Sequence, residues 1–123
     1  MINIIDYGRG NLHSVQKALE RLGAEVRVSS KPEDILSAAK VILPGVGAFG
    51  DCMGNLERYG LVPAIRETAA AGKPLLGICL GLQMLFEGSE EDPGVAGLGI
   101  FPGQVKLIKA PGLKIPQIGR AHV

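Results

Sequence analysis

The sequence predicts an α/β domain built on a doubly wound, mostly parallel sheet, and three observations carry that expectation. Short apolar runs at residues 2–5, 41–43 and 75–79 and an alternating run at 25–28 each have the length of a strand. Between them, apolar residues fall at helical spacing, so strand and helix alternate and the strands run parallel. Finally, an apolar fraction of 46% with 18 glycines and only 4% aromatics suits a compact α/β chain rather than a disordered one.

The elements follow in order. Ile2 to Ile5 forms the first strand and ends at Asp6; Leu12, Val15, Ala18, Leu19 and Leu22 then line one helical face until Gly23 stops it. Glu25-Val26-Arg27-Val28 alternates as a second strand. Pro32 fits the first turn of a helix carrying Ile35 and Leu36. Val41-Ile42-Leu43 is the third strand, after which Asp51 is placed to cap a helix bearing Cys52, Leu56 and Tyr59. Helix continues from Leu61 to Ala71, stops at Gly72, and Pro74 opens the fourth strand. Leu80 to Phe86 is the helix that follows it.

At 123 residues the chain is one domain able to bury a single core. A net charge of +1 offers no general electrostatic attraction for nucleic acid or anionic membrane. Cys52 and Cys79 stand in unlike contexts, with neither a disulfide framework nor metal-ligand spacing. A reducing cytoplasm is therefore expected. The first strand begins almost at Met1, leaving no room for a secretory leader, and the most apolar run, Leu75 to Phe86, is too short for a membrane span. The expected protein is soluble and cytoplasmic, with no cofactor and no metal.

In a doubly wound sheet, ligands bind beyond the carboxyl ends of the strands. That rule gathers Asp6–Asn11, Pro44–Gly50 and Cys79 on one rim. Cys79 lies between a strand and a helix, flanked by Gly77 and Gly81, the glycine pattern of a nucleophile elbow with sulfur in place of oxygen. The N-terminus of the next helix favours thiolate over thiol and presents N–H groups to an oxyanion. Gln83, one helical turn on, can face the same ligand. A buried, inert cysteine is the bland alternative. Pro44-Gly45-Val46-Gly47-Ala48-Phe49-Gly50 can present backbone N–H groups to a ligand. No Lys-Ser/Thr pair follows these glycines, which argues against a phosphate loop and for a second oxyanion donor facing Cys79. A tight turn without chemistry is the plain alternative.

Three stretches in this order, Asp6-Tyr7-Gly8-Arg9-Gly10-Asn11-Leu12-His13-Ser14-Val15, Leu43-Pro44-Gly45-Val46-Gly47-Ala48-Phe49 and Gly77-Ile78-Cys79-Leu80-Gly81-Leu82-Gln83-Met84-Leu85-Phe86, carry a resemblance. The chain, from Met1 to about Gln117, is similar to the glutaminase subunits of imidazole glycerol phosphate synthase, class I glutamine amidotransferases of histidine biosynthesis. The second and third motifs occur loosely across class I amidotransferases; the opening Tyr-Gly-x-Gly-Asn-Leu favours this subunit.

The resemblance implies a flavodoxin-like amidotransferase fold, incomplete at the C-terminus. It also implies that Cys79 attacks the side-chain amide of glutamine, giving a thioester and ammonia. Leu80 and the Val46-Gly47 region would hold the oxyanion; Gly45, Gln83 and Glu91 would bind glutamine, Glu91 meeting its α-ammonium. Taken alone, Ser89-Glu90-Glu91-Asp92 reads as a solvated acidic turn. Ammonia would pass to a partner synthase subunit, a (β/α)8 barrel, with Arg9, Gly10 and Asn11 near that partner. Asn11 could equally serve as a helix cap.

Two departures shape the expectation. The histidine and glutamate of the family's Cys-His-Glu triad fall downstream of this chain; His13 reads as a surface residue, and His122 matches no family position. The 123-residue chain is therefore expected to have little glutaminase activity by itself, and to leave apolar faces exposed. Residues 118–123, Ile-Gly-Arg-Ala-His-Val, depart from the family pattern and correspond to what ATC GGA AGA GCA CAC GTC, a common sequencing-adapter run, would encode. An amidotransferase domain of another pathway and a non-catalytic α/β binding module are the competing functions.

Overall fold

The computed structural model describes residues 1–108 and Gly112. The tail at 118–123 and His122 lie outside the described residues. Strands β1 (Ile2–Ile5), β2 (Val26–Ser29), β3 (Lys40–Gly45) and β4 (Leu75–Cys79) form one sheet in the order β2-β1-β3-β4, all parallel. Helices α1 (Leu12–Arg21), α2 (Pro32–Ser37), α3 (Phe49–Arg58), α4 (Val62–Ala70) and α5 (Leu80–Met84) alternate with them. The order reverses between β1 and β3, so the loops leaving those two strands diverge at a topological switch point. Gly23 and Gly72, with φ of +83° and +75°, end the turns after α1 and α4 as expected of helix stops.

Successive residues on a strand face opposite ways. Ile5, Val41 and Leu43 enter the main core with Ile35 of α2, Phe49 and Leu56 of α3, Ile65 of α4 and Met84 of α5. Helix α1 lies apart from that core and buries no residue fully.

Four local expectations are corrected. Strand β3 runs on through Pro44 and Gly45, because β4 stays paired with it there; its ladder with β1 ends at Ile42, and proline is tolerated where one neighbour has left. Asp51 does not cap α3, which begins two residues earlier at Phe49. The chain between 56 and 61 is not continuous helix: Gly60, at φ +68°, closes α3 while Leu61 N–H returns to Leu56 O at 3.0 Å. Helix α5 stops at Met84 because the returning segment 98–101 takes the next carbonyls; Leu98 N–H binds Met84 O at 2.8 Å and Phe101 N–H binds Leu85 O at 3.0 Å. That return also builds a small parallel pair, β5 (Gly88–Ser89) with β6 (Gln104–Val105), which the sequence reading lacked.

Candidate active site

Cys79 ends β4 and precedes α5, with its side chain exposed. Its backbone, at φ 55° and ψ −123°, makes it the one non-glycine residue of positive φ among the described residues. Such a conformation is strained for an L side chain and persists only where its surroundings enforce it. The enforcement is visible on both sides. A Cβ at Gly81 would lie 1.9 Å from Leu43 O, and one at Gly77 would lie 2.7 Å from Leu82 Cα. Both flanking glycines are thus demanded by close backbone approach, the elbow expected from the sequence.

The parallel register places Gly45 directly opposite Cys79. Gly45 abuts the elbow: a Cβ there would come 2.7 Å from Gly81 N and 3.1 Å from Leu80 C. Val46, Gly47 and Ala48 then connect β3 to α3, and Gly47 has φ +94°. Sheet pairing therefore brings Cys79, Leu80 and the Gly45-Val46-Gly47 turn together.

Gln83 and Glu91 meet in a second grouping. They line a cleft of about 450 Å³ whose other walls include Ser89, Glu90 and Lys106. In Ser89-Glu90-Glu91-Asp92, residues 90 and 91 form an exposed turn, as the residues alone suggest, but the segment is also tied to α3. Ser89 is buried, Glu91 Oε1 accepts from Phe49 N–H at 2.7 Å, and Asp92 Oδ2 accepts from Gly50 N–H at 2.7 Å. Two carboxylates thus meet the unpaired N–H groups that open α3, where the helix dipole favours negative charge. They do so from 42 residues away, a partnership that local spacing could not reveal.

The β1–α1 loop packs against the same turn. A Cβ on Gly10 would lie 2.9 Å from the Pro44 ring, and Arg9 pairs with Asp51 at 3.9 Å while bordering Gly47. Asn11 occupies the N-cap position of α1 without a side-chain capping bond, and His13 is exposed.

Two residues without a role in the sequence reading lie beneath the turn. Tyr7 is fully buried, and its hydroxyl donates to Pro44 O at 2.5 Å. The Cys52 thiol donates to Val46 O at 3.2 Å. Burial pushes both groups above their ordinary pKa, the tyrosine far above, and the two side chains interact with each other. Tyr7 lay within the quoted opening motif, but nothing in its spacing indicated contact with Pro44.

No helix among the described residues is long and apolar enough to cross a membrane, and no cluster of three or more acidic, His or Cys side chains there could hold a metal.

Comparison with known proteins agrees with this geometry. The family model for glutamine amidotransferase class-I matches residues 3–116. The imidazole glycerol phosphate synthase subunit HisH of Moorella thermoacetica is 62% identical over 118 residues, covering 96% of this chain and 56% of that protein. The HisH subunit of Acaryochloris marina is 54% identical over 120 residues, again covering 56% of its length and 97% of this chain. A crystal structure of a glutamine amidotransferase shares the fold, with a TM-score of 0.73 at 24% identity, covering 85% of this chain and 55% of that one. The chain spans about half the length of the curated relatives it matches. With a strained cysteine elbow set against a glycine turn, and a family match along nearly all its length, this chain belongs to the class-I glutamine amidotransferases.

Proposed function

We propose that this segment carries the nucleophile, the oxyanion turn and part of the glutamine pocket of an imidazole glycerol phosphate synthase glutaminase subunit. The observation that carries the reading is the strained Cys79 backbone facing Gly45 across the β3–β4 ladder. The Cys79 thiolate attacks the carboxamide carbon of glutamine and forms a C–S bond. Negative charge moves to the carbonyl oxygen, where the N–H groups of Leu80 and the Val46-Gly47 turn receive it. Collapse breaks the C–N bond, the nitrogen takes a proton, and ammonia leaves a glutamyl thioester. Water then cleaves the C–S bond, releasing glutamate and restoring the thiol.

Gly45, Gln83 and Glu91 hold the glutamine. Glu91 Oε1 is engaged by the Phe49 N–H, which leaves its second oxygen for the α-ammonium. The general-base histidine and its glutamate are supplied downstream of this segment. Arg9, Gly10 and Asn11 sit on the rim beside the turn and suit contact with the (β/α)8 synthase subunit, which receives the ammonia in the cytoplasm and makes imidazole glycerol phosphate in histidine biosynthesis.

The test is ammonia release by the full-length gene product with and without the synthase barrel, beside a Cys79→Ala control. Turnover that rises with the barrel and vanishes in Cys79→Ala supports the reading. Turnover indifferent to the barrel points to an amidotransferase of another pathway. A diazoketone analogue of glutamine that labels Cys79 no faster than Cys52 points to a binding module.

A further inference from the structure

Two buried donors sit directly under the glycine turn, and the elbow itself does not account for either. We propose that Tyr7 and Cys52 are positioning residues that set the Pro44–Gly45 and Val46–Gly47 peptide planes and thereby aim the Gly47 N–H as an oxyanion donor. The inference rests on the glutaminase reading above.

The turn needs such a device. Gly45 and Gly47 have no Cβ to limit their torsions, so the intervening peptides are free to rotate unless something holds their carbonyls. Tyr7 holds one of them: its hydroxyl donates to Pro44 O at 2.5 Å and stands 2.9 Å from where a Gly45 Cβ would be. Cys52 holds the next but one, its thiol donating to Val46 O at 3.2 Å.

Cys52 is itself fixed in the first turn of α3, where its N–H binds Ala48 O at 3.1 Å. Every peptide described is trans, and in a trans peptide the carbonyl and the N–H point in opposite directions. Since the Val46 carbonyl points inward to buried Cys52, the Gly47 N–H points the opposite way, out of the core, in a turn that starts at Gly45, the register partner of Cys79. Burial keeps both side chains protonated through the neutral range, so each remains a donor to its carbonyl.

The experiment compares Tyr7→Phe, Cys52→Ala and Cys52→Ser in the full-length gene product with its synthase partner. Glutaminase kcat and KM are measured beside the rate at which chloroacetamide alkylates Cys79, followed by peptide mass. That alkylation displaces chloride from a saturated carbon and generates no oxyanion, so it reports on the elbow alone.

Losing a whole oxyanion donor costs about 100- to 1,000-fold in kcat, and loosening one is expected to cost about tenfold. Tyr7→Phe and Cys52→Ala should therefore lower kcat about tenfold with KM and alkylation changed less than about twofold, while Cys52→Ser, which keeps a donor, recovers most of the loss. Wild-type kcat in both Tyr7→Phe and Cys52→Ala overturns the positioning role and leaves the glutaminase reading standing. Alkylation falling in step with kcat, or no recovery in Cys52→Ser, overturns it too. Should Tyr7→Phe fail to fold, the Cys52→Ala and Cys52→Ser pair decides. No ammonia from wild type above the Cys79→Ala control removes the glutaminase reading, and the inference with it.

Discussion

On the face of the sheet that packs against α2 to α5, Ile5, Val41 and Leu43 join one continuous core with Ile35, Phe49 and Leu56. On the face that carries α1, exposure climbs along the register from Ile4 (0%) through Ile42 (5%) to Leu76 (56%). A groove lined by Ile2, Leu19, Ile42, Pro74 and Leu76 runs over that open part. The elbow is anchored by Leu43 O against Gly81 and by the contacts of α5 with β4, β3 and α3. The contacts that fix Cys79 thus belong to β3, β4 and α5.

The largest expected effect breaks the packed face at its closest approach. Gly81→Ala places a methyl 1.9 Å from a backbone oxygen that cannot rotate away. A loss of more than about 4 kcal/mol, or no folded protein, is expected in urea denaturation. A wild-type midpoint would show that the elbow does not depend on this contact. Next comes Leu43→Ala, which empties a fully buried position on the same face. It should cost about 3 kcal/mol in the same assay, the transfer and cavity terms together.

How much of this was legible in the sequence follows the range of each interaction. The elbow was readable because its cause is local: Gly77 and Gly81 flank Cys79 within one turn of chain, and both prove sterically required. The strand and helix order was readable from apolar periodicity for the same reason. Helix ends were misjudged where distant backbone intervened, as when Leu98 and Phe101 took the carbonyls of Met84 and Leu85. The capping of α3 was assigned to nearby Asp51, whereas Glu91 and Asp92 perform it from far along the chain. Cys52 illustrates the limit well. Its thiol reaches Val46 O only because α3 begins at Phe49, two residues before the expected cap.

That distant cap provides a smaller test on the packed side. Asp92→Ala removes the carboxylate that Gly50 N–H binds at 2.7 Å. A cost of about 1–2 kcal/mol is expected, in the range of a charge-assisted hydrogen bond at a helix N-terminus. Urea midpoints measured at low and high salt check it; an unchanged midpoint would mean that water replaces the carboxylate without loss.

Confined to alkaline pH is an effect from the same face. Tyr7 and Cys52 both have raised pKa, chiefly through burial, so the folded chain keeps protons that the unfolded chain releases once pH exceeds about 9. The unfolded state then binds fewer protons, and stability falls as pH rises, by at most about 1.4 kcal/mol per pH unit for each group. Below about pH 8 neither group contributes a slope. In Cys52→Ala the decline should be shallower and should begin about one unit later, near the ordinary tyrosine range. Thermal midpoints of both proteins from pH 7 to 11 read this directly, since exposed groups contribute equally to the two.

The smallest effect is expected on the open face, and it sharpens the contrast most. Leu76 is as apolar as Leu43 and lies one strand over, yet more than half of it is exposed. Leu76→Thr keeps a residue suited to a strand and removes little buried area, so it should shift stability by less than about 0.5 kcal/mol. The measurement is a urea midpoint at two protein concentrations a hundredfold apart. A cost near that of Leu43→Ala, growing with concentration, would mean that a second copy covers this face in solution. A small cost independent of concentration leaves Leu76 facing water in the 123-residue chain, and excludes a second copy as its cover.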